Sequence, residues 1–171
     1  MIDTLKLFAI HNIDTNEQLL SLLKNLPEEE LTRNRMSYYE SLYGLVFHMM
    51  RANRYLLMML RKFSDGKYCT HEYTELTFNP ENTLTFQEVS DIIKEYNLLF
   101  SILANTITEE DLNIKKENTL YDETKVEVCI WEILTQYITH QSYHKGQVSQ
   151  ILDEMDIEHD LANIWPYVKQ I

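Results

Sequence analysis

The chain has 171 residues, 44% of them hydrophobic, which is enough for one core and too short for two domains to be the default. Only three Gly and three Pro are present, too few for the tight turns of a sheet-rich domain of this size, so long helices are expected. The net charge is −12, with 15 basic residues scattered among 27 acidic ones; this balance repels phosphate backbones and anionic lipid and argues against nucleic acid or membrane partners.

Met1 to Ile10 holds Asp3 and Lys6 within a short apolar stretch and lacks the layout of a secretory signal, and no run reaches the length of a membrane span. Cys69 and Cys129 are far apart and have no Cys or His at zinc-finger spacing, which fits free thiols in a reducing cytosol. The expectation is a single cytoplasmic domain over residues 1–171.

In chain order, Leu5, Phe8, Ala9, Leu19, Leu20, Leu22 and Leu23 repeat at three and four, predicting one helix from Ile2 to Leu26 with a possible bend in the polar stretch Asp14 to Glu17. Pro27 with Glu28, Glu29 and Glu30 reads as a loop entering a new turn. A second helix is predicted from Ser37 or Tyr38 to Phe63, stopped at Ser64-Asp65-Gly66, with Leu45, His48, Ala52, Tyr55, Leu56 and Met59 as its inward stripe. Residues 65–84 form a long polar connection containing Asn79-Pro80. Thr85 and Glu88 then make a capping box that opens a third helix, running to about Ile107, with Ile92, Ile93, Tyr96, Leu99, Phe100 and Leu103 inward.

Thr108 to Lys125 is again polar, and Val126 to Ile130 is either a short extended piece or the first turn of the next helix. That fourth helix is predicted over Cys129 to Met155, with Ile133, Tyr137, His140, His144, Val148 and Ile151 on one face. A short helix over Asp160 to Lys169, interrupted by Pro166, closes the chain. The fold class is all-α: a four-helix bundle with a short C-terminal helix.

His140 and His144 stand four apart, so on a helix their side chains share one face and can hold one metal ion. A zincin protease would need glutamate after the first histidine, and here Gln141 stands there. A di-iron centre would need Glu-x-x-His pairs, and no histidine has a glutamate three residues before it. A mononuclear site with a third ligand from another helix remains, and His48 is the candidate because it alone among the other histidines lies on the apolar stripe of a long helix. The competing reading is three hydrogen-bonded core histidines. His11, His71 and His159 read as solvated surface groups.

Three neutral imidazoles without a carboxylate leave part of an ion's coordination open, as catalytic sites do. Zinc and nickel lead among divalent ions, with iron, cobalt and manganese behind them.

The runs WEILTQYITHQSYHKGQV, Trp131 to Val148, and SLYGLVFHMMRANRYLL, Ser41 to Leu57, with weaker support from NEQLLSLLKNLPEEEL, Asn16 to Leu31, make the chain resemble the DinB family of metalloenzyme-like proteins over nearly its whole length. The resemblance implies an up-down-down-up bundle, often dimeric, with His48, His140 and His144 as metal ligands. Some relatives use a thiolate nucleophile in thiol transfer or isomerisation, and some are induced by DNA damage. Lys145 stands where arginine is commoner, and Asn53 where an acidic residue is often seen.

Gly146 inside a helix costs about 1 kcal/mol relative to alanine unless room is needed, which points to close helix packing. Gln147 either orients His144 or is solvated. Arg51, one turn beyond His48, either steadies a carboxylate on a thiol substrate or belongs to a solvated face, and Tyr137 and Tyr143 are the donors available to a hydrolytic alternative. Three functions are therefore carried: metal-dependent transfer of a small cellular thiol to an electrophile, hydrolysis by metal-activated water, and non-catalytic binding of a metal or small ligand in a stress response.

Overall fold

The computed structural model describes residues 1–68, 84–119 and 122–170. Cys69, His71, Asn79-Pro80 and most of the predicted connection lie outside them. Four long helices dominate: α1 (Ile2–Lys24), α3 (Leu42–Phe63), α4 (Phe86–Thr106) and α6 (Ile130–Glu154), with short turns of helix at α2 (Glu28–Thr32) and α5 (Glu109–Leu112). The first packs chiefly on the third long helix and the second on the fourth, and α3 also meets α4 while α1 meets α6, which closes the bundle into a ring. Among the described residues no helix is long and apolar enough to cross a membrane.

α1 runs through Asp14 to Glu17 without a break. The polar stretch there is split by helical phase. Asp14 and Glu17 face outward, while Asn12, Thr15 and Asn16 are buried. They are matched by Asn97 of α4, whose amide oxygen accepts from the amides of Asn12 at 3.2 Å and Asn16 at 2.9 Å. A polar layer therefore crosses the bundle between apolar layers built by Leu5, Leu19, Leu23, Phe63, Phe100 and Leu103.

The second predicted helix starts later than its periodicity suggests. Ser41 is its N-cap, its hydroxyl accepting from the Gly44 amide at 3.0 Å. Residues 36–40 form a fold-back in which Met36 and Glu40 take left-handed φ values of 56° and 62°, and the Arg35 amide donates to the Glu40 carbonyl. Of the predicted inward stripe Leu45 and Leu56 are buried and His48, Ala52 and Met59 half-buried, while Tyr55 is exposed; Met49, Asn53, Leu57 and Leu60 join the inward face. The stop after Phe63 is as expected, with Asp65 and Gly66 both at positive φ. The Thr85 capping box is formed, with the Thr85 amide donating to the Glu88 carboxylate at 2.7 Å.

Thr108 to Lys125 is more structured than its polarity implied. α5 is followed by β1 (Lys115–Thr119), which pairs antiparallel with β2 (Lys125–Cys129), Lys115 opposite Cys129 and Thr119 opposite Lys125. The extended alternative for 126–130 is therefore the one realised, and α6 starts directly from the last strand residue. The C-terminal helix is a 3-10 turn, Trp165–Gln170, shorter than the predicted span.

Because Asn97 is the acceptor for two buried donors, Asn97→Ala strands both amides in a dry layer, where each costs on the order of 1–3 kcal/mol. Urea unfolding of this variant should show a loss of roughly 2–4 kcal/mol; a change under about 0.5 kcal/mol, the scale of ordinary surface substitutions, would show that the layer is hydrated.

Candidate metal centre

α3 and α6 carry the three predicted histidines to one point. His48 Nε2 lies 3.1 Å from His140 Nε2, which lies 3.1 Å from His144 Nε2. The three form one group whose donor atoms all fall within 4.8 Å of one another, with no carboxylate or cysteine in it. An ion bound at about 2.0–2.1 Å from two imidazole nitrogens holds them roughly 2.9 Å apart at a right angle and 3.3 Å apart at a tetrahedral one. The two spans to His140 fall inside that interval.

Hydrogen bonding accounts for the cluster less well. A ring nitrogen carries one proton or one lone pair, so His140 Nε2 cannot fully satisfy two neighbours at 3.1 Å. The protonation of His144 is set from outside: its Nδ1 lies 2.6 Å from the Gln147 amide oxygen, which can only accept, so Nδ1 carries the proton and Nε2 presents a bare lone pair to the group. Gln147 thus takes the orienting alternative, and its own amide nitrogen reaches the Tyr143 hydroxyl at 3.4 Å. His140 Nδ1 is buried without a partner.

Burial, the neighbouring His144 and the Arg51 charge push the His48 pKa down to about 4. Burial, then His144 and His48, bring His140 to about 4 as well, and burial lowers His144. The three imidazoles are neutral at pH 7, the form that ligates a cation. Their donor set fits a divalent ion.

One residue at the site lies outside the helical pattern that predicts the others. Tyr39, in the fold-back before α3, stacks on His48 with ring centroids 4.1 Å apart and planes 24° from parallel, and its hydroxyl oxygen lies 2.9 Å from His48 Nε2. Its pKa is raised by burial and by Tyr38 and Tyr143. Gly44 makes this approach possible: a Cβ there would come far inside van der Waals contact of the Tyr39 carbonyl oxygen. The signal in the sequence was the glycine four residues before His48, one turn into the helix, where alanine would otherwise be preferred.

The remaining candidates fall elsewhere. Asn53 is fully buried and its amide oxygen accepts from Gln141, so it bridges α3 and α6 behind the histidines. Tyr137 is buried in the core against Phe100, its pKa raised by burial against a smaller lowering by the Asn12 side chain, a poor position for a hydrolytic donor. Tyr143 is 65% exposed and edge-on to His144. Arg51 lines a cleft of about 600 Å³ with Tyr38, Tyr39, Tyr55, His48 and His140. A second cleft, about 850 Å³, is reached past Tyr39 and Gln147 and carries Glu30, Arg33, Arg35 and Glu154.

Three expectations are corrected. A Cβ on Gly146 would meet nothing within 4 Å, so close packing is not its reason. His11 is half-buried, edge-on to Tyr167, and His159 is nearly buried with Nε2 donating to the Ser149 carbonyl at 3.0 Å; neither is a solvated surface group. Lys145, which stands where arginine is commoner, has a burial the sequence did not indicate: it is 4% exposed. Its ammonium donates to Thr15 Oγ1 at 2.6 Å and to Asn12 Oδ1 and carbonyl oxygen at 2.9 and 3.4 Å, three acceptors for three protons, yet burial lowers its pKa to about 7.

A helical bundle with three histidines converging from two helices defines a class of candidate metal-binding proteins. The chain belongs to the DinB family, whose model matches residues 1–159 of the 171. No curated protein and no solved structure matches it.

Two outcomes are expected. Gly146→Ala should stabilise the protein by about 0.5–1 kcal/mol in urea and leave metal affinity unchanged; destabilisation would show that the glycine has a role in packing after all. The pH dependence has one sign at two windows. Between about pH 4 and 6.5 the unfolded chain binds protons that folded His48 and His140 refuse, so stability of the metal-free protein falls on acidification; between about 7 and 10.5 it rises with pH because unfolded Lys145 is still protonated. Urea midpoints across pH should show both limbs, and a double His48→Ala, His140→Ala variant should flatten the acidic one.

Proposed function

We propose that His48, His140 and His144 bind one divalent cation, with zinc or nickel the leading ions, and that the protein uses it to activate a small cellular thiol for transfer to an electrophile. The observation that carries the metal part is the convergence of three neutral Nε2 atoms at ligand spacing, one of them with its tautomer fixed by Gln147. Three imidazoles without a carboxylate leave coordination positions open.

The bound cation supplies a Lewis acid that lowers the pKa of a group with a lone pair. The residues around it favour sulfur over water. A thiol starts near pKa ~8.5 and needs only a modest shift, whereas water starts near ~15.7, and the histidine group contains no carboxylate to take a proton. The two tyrosines a hydrolase would use are placed badly, one in the core and one largely in solvent. Among the described residues the one cysteine, Cys129, is buried at the junction of β2 and α6, outside the histidine group, and the thiol of this reading is a second molecule. The cleft beside His48 and His140 offers aromatic walls for its apolar part, and Arg51 lies at the position to face a carboxylate.

Elemental analysis of purified protein should find about one divalent ion per chain, lost in His144→Ala while far-UV circular dichroism is unchanged. Unchanged metal content in that variant defeats the metal assignment. The metal-loaded protein should consume a model electrophile in the presence of bacillithiol, glutathione or another low-molecular-weight thiol, and the chelated protein should not. Stoichiometric metal with no consumption by any thiol leaves a binding protein and removes the transferase reading.

A further inference from the structure

We propose that Tyr39 is a fourth protein donor to the cation, its phenol oxygen taking one of the positions that the three imidazoles leave open. The inference rests on the metal reading above and adds a residue from outside the helices. Its basis is the geometry of the stacked pair. Imidazole lone pairs lie in the ring plane, and so would an ion bound to Nε2. The Tyr39 and His48 planes are only 24° from parallel with centroids 4.1 Å apart. The stacking brings the phenol oxygen to the Nε2 end of the imidazole. The phenol oxygen approaches Nε2 to 2.9 Å, within hydrogen-bond reach of the imidazole. That is also the distance at which neighbouring ligands of one small ion sit.

The backbone supports the same placement. The Tyr39 carbonyl is packed so closely on the start of α3 that Gly44 admits no Cβ, and the Ser41 amide donates to that carbonyl at 2.7 Å. The ring is clamped further by Tyr38 and by the edge of His144. A side chain held by its backbone, by a stacked ligand and by a second ligand's ring is prepared to act at the point where the ligands meet. When the oxygen–metal bond forms, the phenol proton passes to solvent.

The test uses copper(II), because a phenolate on copper gives a visible charge-transfer band that imidazoles do not. Full-length wild-type protein stripped of metal should bind one copper per chain and develop the band. Tyr39→Phe should bind copper with affinity lowered about tenfold or more and without the band, the scale seen when a group supporting a metal site is lost. Tyr143→Phe, which alters the other tyrosine beside His144, should keep it. One copper bound in the wild type and lost in His144→Ala, with no band, overturns the Tyr39 assignment and leaves the histidine site standing. A band that survives Tyr39→Phe, or tighter binding by that variant, overturns it too, the latter by showing that the phenol competes with the ion. If wild-type protein binds no copper, nickel or zinc, the metal reading falls and this inference with it.

Discussion

The register between α3 and α6 is the constraint on which the rest of the molecule depends. His48 and His140 are separated by 92 positions, and a slip of one helical turn along the axis, about 5.4 Å, would part them beyond the reach of one ion. Apolar packing alone is tolerant of such slips, because leucine against leucine is much the same one turn further on. The buried amide pair is not. Gln141 donates to Asn53 across the same two helices, both residues are essentially without solvent, and sliding either helix would leave both amides stranded. The residue between the two histidines of α6, which at first only argued against a protease, is thus the one that keeps them opposite His48.

Polar groups recur one step around α6 from the ligands. Tyr137, Gln141 and Lys145 form a ridge beside His140 and His144, and each is buried. Gln141 ties α6 to α3, and Lys145 ties it to α1 through Asn12 and Thr15, which in turn lean on Asn97 of α4. All four long helices are therefore fixed relative to the histidines by directional bonds. The arrangement is not fully satisfied: single atoms of Asn53, Asn97 and Gln141 lack partners. Burying an ammonium, even with three acceptors, and several half-paired amides lowers stability, and proteins accept such losses where a site needs placing.

Much of this was legible in the sequence because helices repeat at fixed phase. A histidine pair four apart and a lone histidine on a second apolar stripe were sufficient to name the three residues that meet, and the threonine and glutamate at 85 and 88 marked a helix start correctly. What escaped was whatever depends on less than a turn of phase or on irregular backbone. Tyr137 shares the spacing of His140 and His144 and lies about 60° and 20° from them around the helix, yet one to two turns nearer the helix start it is packed in the core. Lysine is so seldom buried that nothing in the sequence marked Lys145 as a core residue. Tyr39 lies where a helix was predicted. Two left-handed residues and one close glycine contact make that segment, and apolar periodicity carries no trace of them. The β1–β2 pairing was half visible, since the first strand, Lys115 to Thr119, contains no aliphatic residue at all.

Cys129 ends β2 and also serves as N-cap of α6, its amide donating to the Glu132 carboxylate at 2.7 Å. With no linker between strand and helix, the hairpin sets the angular phase at which α6 begins. One residue added or removed between Cys129 and His140 would turn the rest of the helix by about 100° and aim both imidazoles at a different neighbour. A change of length in the connection between the two strands would be taken up before it reached the helix. The chain therefore has two adjoining stretches with opposite tolerance for insertion, and Cys129 marks the border.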